Sequence, residues 1–117
     1  MEIKVRIKKV RKRDGSLEDF NVERIKNAIR KACSFLNLTD ENFVIDTASI
    51  VVNELEKKVS LFEKGIPSVE EIQDIVEKIL FERNERIAKA YSLYRRSRHL
   101  AREIKLFLKL KDDLKFN

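Results

Sequence analysis

Cysteine, histidine and proline each occur once in the 117 residues, glycine twice and tryptophan not at all. Each scarcity removes a class of structure or chemistry. A single thiol, Cys33, excludes a disulfide framework within the chain, and the one histidine, His99, cannot complete a Cys/His zinc site with it. With glycine only at Gly15 and Gly65, no glycine-lined phosphate nest can form, and neither a P-loop pattern nor GxGxxG is present. No Ser/His or Cys/His arrangement offers an activated nucleophile, so the sequence reads as a domain without a catalytic constellation. No apolar run approaches the roughly 20 residues that cross a bilayer. The start, Met1-Glu2-Ile3-Lys4, lacks the apolar stretch of a signal peptide, and a cytosolic protein is expected.

What the chain has in abundance is charge. Charged residues make up 39% and hydrophobic ones 43%, a balance that excludes disordered and low-complexity classes and favours one helix-rich domain with surface ion pairs. The net charge of +6 is local: residues 1–13 carry seven basic side chains and one acidic, and the remainder is balanced. Such a segment serves phosphate groups on a nucleotide, nucleic acid or an anionic surface, or else it is a lysine-studded strand protected against edge pairing.

Ile3, Val5 and Ile7 alternate with Lys4, Arg6 and Lys8 as in a half-buried strand. Asp14-Gly15 then supplies the positive backbone angles of a tight turn before Leu17 and Phe20, so a β-hairpin is predicted over residues 3–20. Asn21 is placed to cap a first helix, with Val22, Ile25, Ala28, Ile29, Ala32, Cys33 and Leu36 at helical spacing and Asn37 as a left-handed stop. That spacing puts Cys33 in the core, as a packed rather than a reactive thiol. Thr39 or Asp40 caps a second helix with Val44, Ala48, Val51, Val52 and Leu55 inward, ending near Lys57 or Lys58. Residues 59–65 are too short for an independent helix and are expected to give a brief third strand or a loop against the hairpin. Pro67-Ser68 opens a third helix, where Ser68 and Glu71 have capping-box spacing and Val69, Ile72, Ile75, Val76, Ile79 and Leu80 form the apolar stripe. After a polar break at residues 82–85, a long helical pattern runs from about residue 86 to 109. The expected fold class is α+β: a four-helix bundle capped by a small antiparallel hairpin or three-stranded sheet.

The last helix concentrates the chemistry. Tyr91, Tyr94, Arg95 and Arg98 stand at i, i+3, i+4 and i+7 and share a face. Arg95, Arg98, Arg102 and Lys105 continue as a basic stripe whose forked donors suit phosphates. A solvated basic stripe beside two core tyrosines has the same pattern. Lys12 and Arg13, before the turn, and Arg24, in the first turns of the first helix, form a second basic group. Any phosphate grip here comes largely from side chains.

The run Val10-Arg11-Lys12-Arg13-Asp14-Gly15-Ser16-Leu17-Glu18-Asp19-Phe20, followed by Arg24-Ile25-Lys26-Asn27-Ala28-Ile29, resembles the opening of the ATP-cone domain. Val69-Glu70-Glu71-Ile72-Gln73-Asp74-Ile75-Val76-Glu77 resembles its third-helix signature, and Ala88-Lys89-Ala90-Tyr91-Ser92-Leu93-Tyr94-Arg95 its closing helix, in the right order over residues 3–99. The resemblance implies a regulatory nucleotide-binding module of the kind found mostly at the N-terminus of ribonucleotide reductase catalytic subunits, itself doing no chemistry. Residues 1–99 would be the cone. Residues 100–117, similar to the connection between a cone and a reductase body, would be a helical extension. The implied effectors are ATP as activator or dATP as inhibitor, with Mg2+ accompanying the triphosphate. Bound nucleotide would alter the assembly of reductase subunits or self-association, in deoxyribonucleotide biosynthesis.

By the same resemblance, Lys12 and Arg13 approach the base or phosphates, and Glu18 and Asn21 contact the base and the hairpin–helix junction. Arg24 stands where the family usually has lysine, keeping the charge but changing a point donor into a planar fork. Val69 falls where several members have threonine and offers an apolar wall to adenine. Gln73 falls where others place histidine or aspartate near the ribose. Arg98, with Arg95 or Arg96 as substitutes, falls near the closing-helix cation that meets the triphosphate. The implied site is a cleft under the hairpin in which Lys12, Arg24 and Arg98 tolerate one another only when an anion is present. Two other readings stand beside it. A nucleic-acid-binding or transcription-regulating module suits the pI near 9.5 but lacks the cysteine-rich zinc ribbon of the cone-containing repressor. A helical interaction module, or a stand-alone nucleotide sensor acting on a protein partner, is the other.

Overall fold

The computed structural model describes residues 5–115. Strands β1 (Lys9–Arg11) and β2 (Leu17–Asp19) precede helices α1 (Val22–Phe35), α2 (Glu41–Lys57), α3 (Val69–Arg83) and α4 (Glu85–Lys115). The helices start and stop where polar side chains satisfy their free backbone groups. Asn21 Oδ1 accepts from the Glu23 amide at 2.9 Å. Asp40, rather than Thr39, caps α2 by accepting from the Phe43 amide at 3.0 Å. Ser68 and Glu71 form the reciprocal capping box, at 2.9 and 3.0 Å. Helix α1 ends in a Schellman arrangement: Asn37 takes φ 57°, while Leu38 N donates to Cys33 O at 2.9 Å and Asn37 N to Ser34 O at 3.0 Å. The expected polar break shrinks to one residue, Asn84, whose Oδ1 accepts from the Ile87 amide at 3.2 Å and caps α4.

The four helices bury one core. Ile29, Ala32, Ala48, Val51, Leu55, Leu80 and Ala88 are fully buried, and Cys33 is 2% exposed among them. Burial raises the Cys33 thiol pKa, as expected for a packing residue. Thr47, also fully buried, has no hydrogen-bond partner for its Oγ1 among the described residues.

The sheet is smaller than the sequence suggested. It is a two-stranded antiparallel hairpin pairing Lys9 with Asp19, Val10 with Glu18 and Arg11 with Leu17. The strand starts at Lys9, with Val5 to Lys8 outside it, because the alternation breaks. Ile7 and Val10 are both buried although three residues apart, and the Arg6 amide donates to Glu56 Oε1 of α2 at 2.6 Å. Val5 to Lys8 therefore follow the end of α2, and Ile3 lies outside the described residues. In the turn only Gly15 has a positive φ, 88°. Asp14 Oδ1 accepts from both Ser16 N and Ser16 Oγ instead, at 2.9 and 2.6 Å.

No third strand forms among the described residues. Residues 59–65 wind into two short 3-10 turns, Val59–Leu61 and Glu63–Gly65. The edge of β1 meets a single parallel bridge between Arg11 and Ser68, with Arg11 N donating to Pro67 O at 2.9 Å. Pro67 has no amide hydrogen and Ser68 is committed to capping α3, so the ladder cannot grow.

Helix α4 runs to Lys115, past the expected end at 109. Its 31 residues reach about 46 Å at 1.5 Å per residue, twice the ~22 Å of the 15-residue α3. Its second half therefore outruns the bundle, leaving Leu100, Ile104 and Phe107 exposed.

Candidate functional site

Where the hairpin meets the bundle, a hollow of about 740 Å³, counting its open mouth, lies between β1, β2, α1, α3 and α4. Val10, Phe20, Ile25, Ala28, Val69, Ile72 and Val76 give it apolar walls, and Tyr91 closes it from α4. Local structure explains the convergence. Val10, the middle residue of β1, is buried. Ile25 and Ala28 share a face of α1, and Val69, Ile72 and Val76 share a face of α3. Glu18, Asn21, Arg24 and Gln73 add polar groups to the lining. Tyr91 is 3% exposed, and burial pushes its phenol pKa upward, so the hydroxyl stays neutral at this wall.

Two carboxylates organise the cations around the hollow. Glu18 accepts from Arg24 Nη1 at 2.6 Å and stands 4.0 Å from Lys12 Nζ. On the other side, Glu70 Oε1 meets Arg13 Nε at 2.8 Å and its Oε2 meets Arg95 Nη2 at 2.9 Å. Arg95 also contacts Asp74 at 2.9 Å and Glu77 at 3.7 Å, and Arg13 Nη2 reaches Gln73 Oε1 at 3.4 Å. The hydrogen bond from Arg95, with the nearby Arg13 charge, holds the Glu70 carboxyl below the usual glutamate range. Lys12 and Arg24 are thus not the mutually repelling, unpaired cations the sequence suggested. Each stands against an internal carboxylate that lowers the cost of an empty site.

A second depression adjoins the first. Arg13, Glu70, Glu77, Ser92 and Arg95 line it, with Arg96, His99 and Arg102 further along α4, and Gln73 lines both hollows. The nine side chains singled out from the sequence distribute accordingly. Glu18, Asn21, Arg24, Val69 and Gln73 line the first hollow. Arg13 and Arg95 line the second, and Lys12 sits beside Glu18. Arg98 is exposed, lines neither hollow and makes no ion pair among the described residues. The shared face of α4 divides because the helix lies between α1 and α3. Tyr91 faces the hollow, Tyr94 packs under Lys31 of α1, whose Nζ is 5.5 Å from the ring centroid, and Arg95 turns to α3. Arg98 stands two turns beyond Tyr91.

Sequence reasoning missed Glu70 and Asp74, and singled out Tyr91 only as part of the shared face of the last helix, without assigning it to the site. The available signal was an acidic stripe at i, i+4 and i+7 on α3, Glu70, Asp74 and Glu77, able to face a basic helix. Among the described residues no three His, Cys, Asp or Glu side chains converge to hold a metal ion, and no helix is long and apolar enough to cross a membrane.

Comparison with known proteins gives one family: the model for the ATP cone domain matches residues 8–100. The chain is 41% identical over 93 residues to the anaerobic ribonucleoside-triphosphate reductase of Haemophilus influenzae, covering 79% of this chain and 13% of that protein. It is 37% identical over 115 residues to the vitamin B12-dependent ribonucleoside-diphosphate reductase of Thermoplasma acidophilum, covering 93% of this chain and 14% of that one. The corresponding reductase of Mycobacterium tuberculosis is 34% identical over 110 residues, covering 93% and 15%. The chain therefore spans about one seventh of the length of these relatives.

Proposed function

The chain belongs to the ATP-cone domain family, and on that premise we propose that it binds ATP or dATP in the hollow under the hairpin as an allosteric effector of a ribonucleotide reductase. Family membership and the reductase relatives support a nucleotide-binding regulatory role. The observation that carries the finer reading is an apolar hollow flanked by two sets of basic side chains, Lys12 with Arg24 and Arg13 with Arg95, each already paired with carboxylates.

Adenine occupies the apolar slot against Val69, Ile72 and Tyr91, where a flat aromatic ring displaces water from hydrophobic walls. Glu18 and Asn21 read the base edge at the hairpin–helix junction, and Gln73, able to donate and accept, meets the ribose. The triphosphate extends over Gln73 toward Arg13 and Arg95, with Lys12 and Arg24 adding positive potential and Arg98 a further cation on α4. A magnesium ion travels on the phosphates, its shell completed by water, since it prefers phosphate oxygens and water to a protein cage.

Regulation follows from linkage. The ligand contacts the hairpin, α1, α3 and α4 together, so binding stabilises their relative arrangement, and α4 continues rigidly from Tyr91 and Arg95 to its exposed apolar half. Residues 1–99 act as the sensor and residues 100–117 as the connection through which occupancy biases subunit assembly.

Thermal melting with increasing ATP or dATP tests the reading. The melting temperature rises with the logarithm of ligand concentration, as for any ligand selective for the folded state. Val69→Trp, which fills the slot, abolishes the rise while the ligand-free protein still melts cooperatively. A wild-type melting temperature that stays constant up to millimolar nucleotide overturns the proposal.

A further inference from the structure

Glu70 has a geometry that simple surface pairing does not require. It is the second residue of α3, and its two carboxylate oxygens are divided between different elements: Oε1 to Arg13 of the hairpin turn, Oε2 to Arg95 of α4. One side chain thus bridges two of the arginines that line the second depression, Arg13 and Arg95, as a phosphate with several free oxygens would. Glu70 is half-exposed, whereas Arg95 is 20% exposed and further held by Asp74. The bridging carboxylate is therefore open to solvent, as are Arg13 and Asp74 beside it, and an incoming anion bound for the two arginines meets it as a competitor.

We propose that Glu70 is a specificity-determining residue that sets how many phosphates a ligand must carry, by occupying the Arg13–Arg95 clamp until a more highly charged anion displaces it. The inference rests on the adenine-nucleotide reading above and deepens it. Displacement sacrifices the two contacts of Glu70, a penalty of the same size for any phosphate ligand, and the freed, half-exposed carboxylate turns to solvent, where its repulsion of the ligand is screened. The return grows with the charge and the number of oxygens delivered. A monophosphate brings too little to replace the bridge, whereas a triphosphate engages both arginines and still reaches Lys12 or Arg24. An internal anion at the clamp thereby converts a general attraction for phosphate into a threshold, a form of discrimination built from competition.

The test compares wild type with Glu70→Gln, which keeps the length and removes the charge, by calorimetric titration with ATP and AMP and, separately, with inorganic tripolyphosphate and orthophosphate. In the wild type the triphosphate member of each pair binds more tightly. In Glu70→Gln both members gain affinity, the singly phosphorylated one most. The ratio within each pair narrows roughly tenfold, the scale of one partly exposed charge-assisted contact. Glu70→Asp, one methylene too short to span both arginines, narrows the ratios in the same direction and serves if the glutamine variant does not fold. Unchanged ratios overturn the proposal. So does weaker ATP binding in Glu70→Gln, which would make Glu70 a positioning residue for the arginines, and so does failure of wild type to bind tripolyphosphate. If tripolyphosphate and orthophosphate behave as stated but ATP binds no better than tripolyphosphate, the threshold stands and the adenine reading falls.

Discussion

Glu18 of β2 holds Arg24 of α1 at 2.6 Å across the junction between hairpin and bundle. The guanidinium expected to wait for a phosphate is already neutralised, and the same carboxylate stands 4.0 Å from Lys12. A ligand phosphate at this edge adds to an existing pair instead of relieving an isolated charge, so the gain from any one of these cations is modest.

Arg24→Ala is accordingly expected to weaken ATP binding about fivefold, the scale of an exposed charged contact, and Arg24→Lys by less, because the charge remains and only the planar fork is lost. Isothermal titration at fixed ionic strength measures both. Equal losses in the two variants would show that fork geometry, not charge, is what the ligand uses.

Acid stability follows from Glu70. Its folded pKa is depressed, first by the hydrogen bond from Arg95 and then by the Arg13 charge. Its contribution is fully present above the unfolded glutamate pKa of ~4.3 and is lost as the pH falls through the lower folded value. With the side chain half-exposed, solvent screening keeps that contribution below about 1 kcal/mol. Urea melts at successive pH values should show wild-type stability declining below about pH 4, with Glu70→Gln declining less steeply. Parallel curves for the two proteins would contradict the assignment.

Thr47, fully buried in α2, carries a hydroxyl with no partner among the described residues. Thr47→Val replaces it with a methyl of nearly the same shape, and removing an unsatisfied buried polar atom should stabilise the fold by about 1 kcal/mol. Leu80→Ala, at an equally buried site in α3, should cost ~2–5 kcal/mol through lost burial and the cavity left behind. Chemical denaturation decides both, and a destabilised Thr47→Val would mean the hydroxyl does find an acceptor.

The free half of α4 makes a contrasting prediction. Since Leu100, Ile104 and Phe107 bury little against the rest of the chain, ending the chain after Ala101 should move the melting temperature by less than about 3 °C, a shift corresponding to well under 1 kcal/mol. The truncated protein should retain nucleotide binding. A large drop would show that this half stabilises the bundle after all.

Much of the fold is legible in the sequence because helix signals are local. Asn21, the Ser68 and Glu71 pair and Asn37 cap or stop their helices where their side chains and backbone preferences dictate, and the apolar spacing that nominates Ile29, Cys33, Val51 and Leu80 needs only the 3.6-residue period. The sheet is less legible because pairing depends on what lies alongside. An alternating run at residues 3–7 cannot announce that the Arg6 amide will turn to Glu56, nor that Pro67 and Ser68 will stop β1 from gaining a third strand.

The sequence by itself determined four helices, the caps of α1 and α3, a buried thiol, a Gly15 turn and the family resemblance, since all of these are written in residue type and short-range spacing. Only the tertiary structure decided which charges meet. Glu18 joins Lys12 and Arg24, Glu70 joins Arg13 and Arg95, and Arg98 stays outside both hollows. Coulombic pairing acts over a few ångströms: the hairpin and its junction with α1 bring Glu18 to partners six positions away on either side, and packing of the hairpin turn and α4 against α3 brings Glu70 to partners 25 or more positions away.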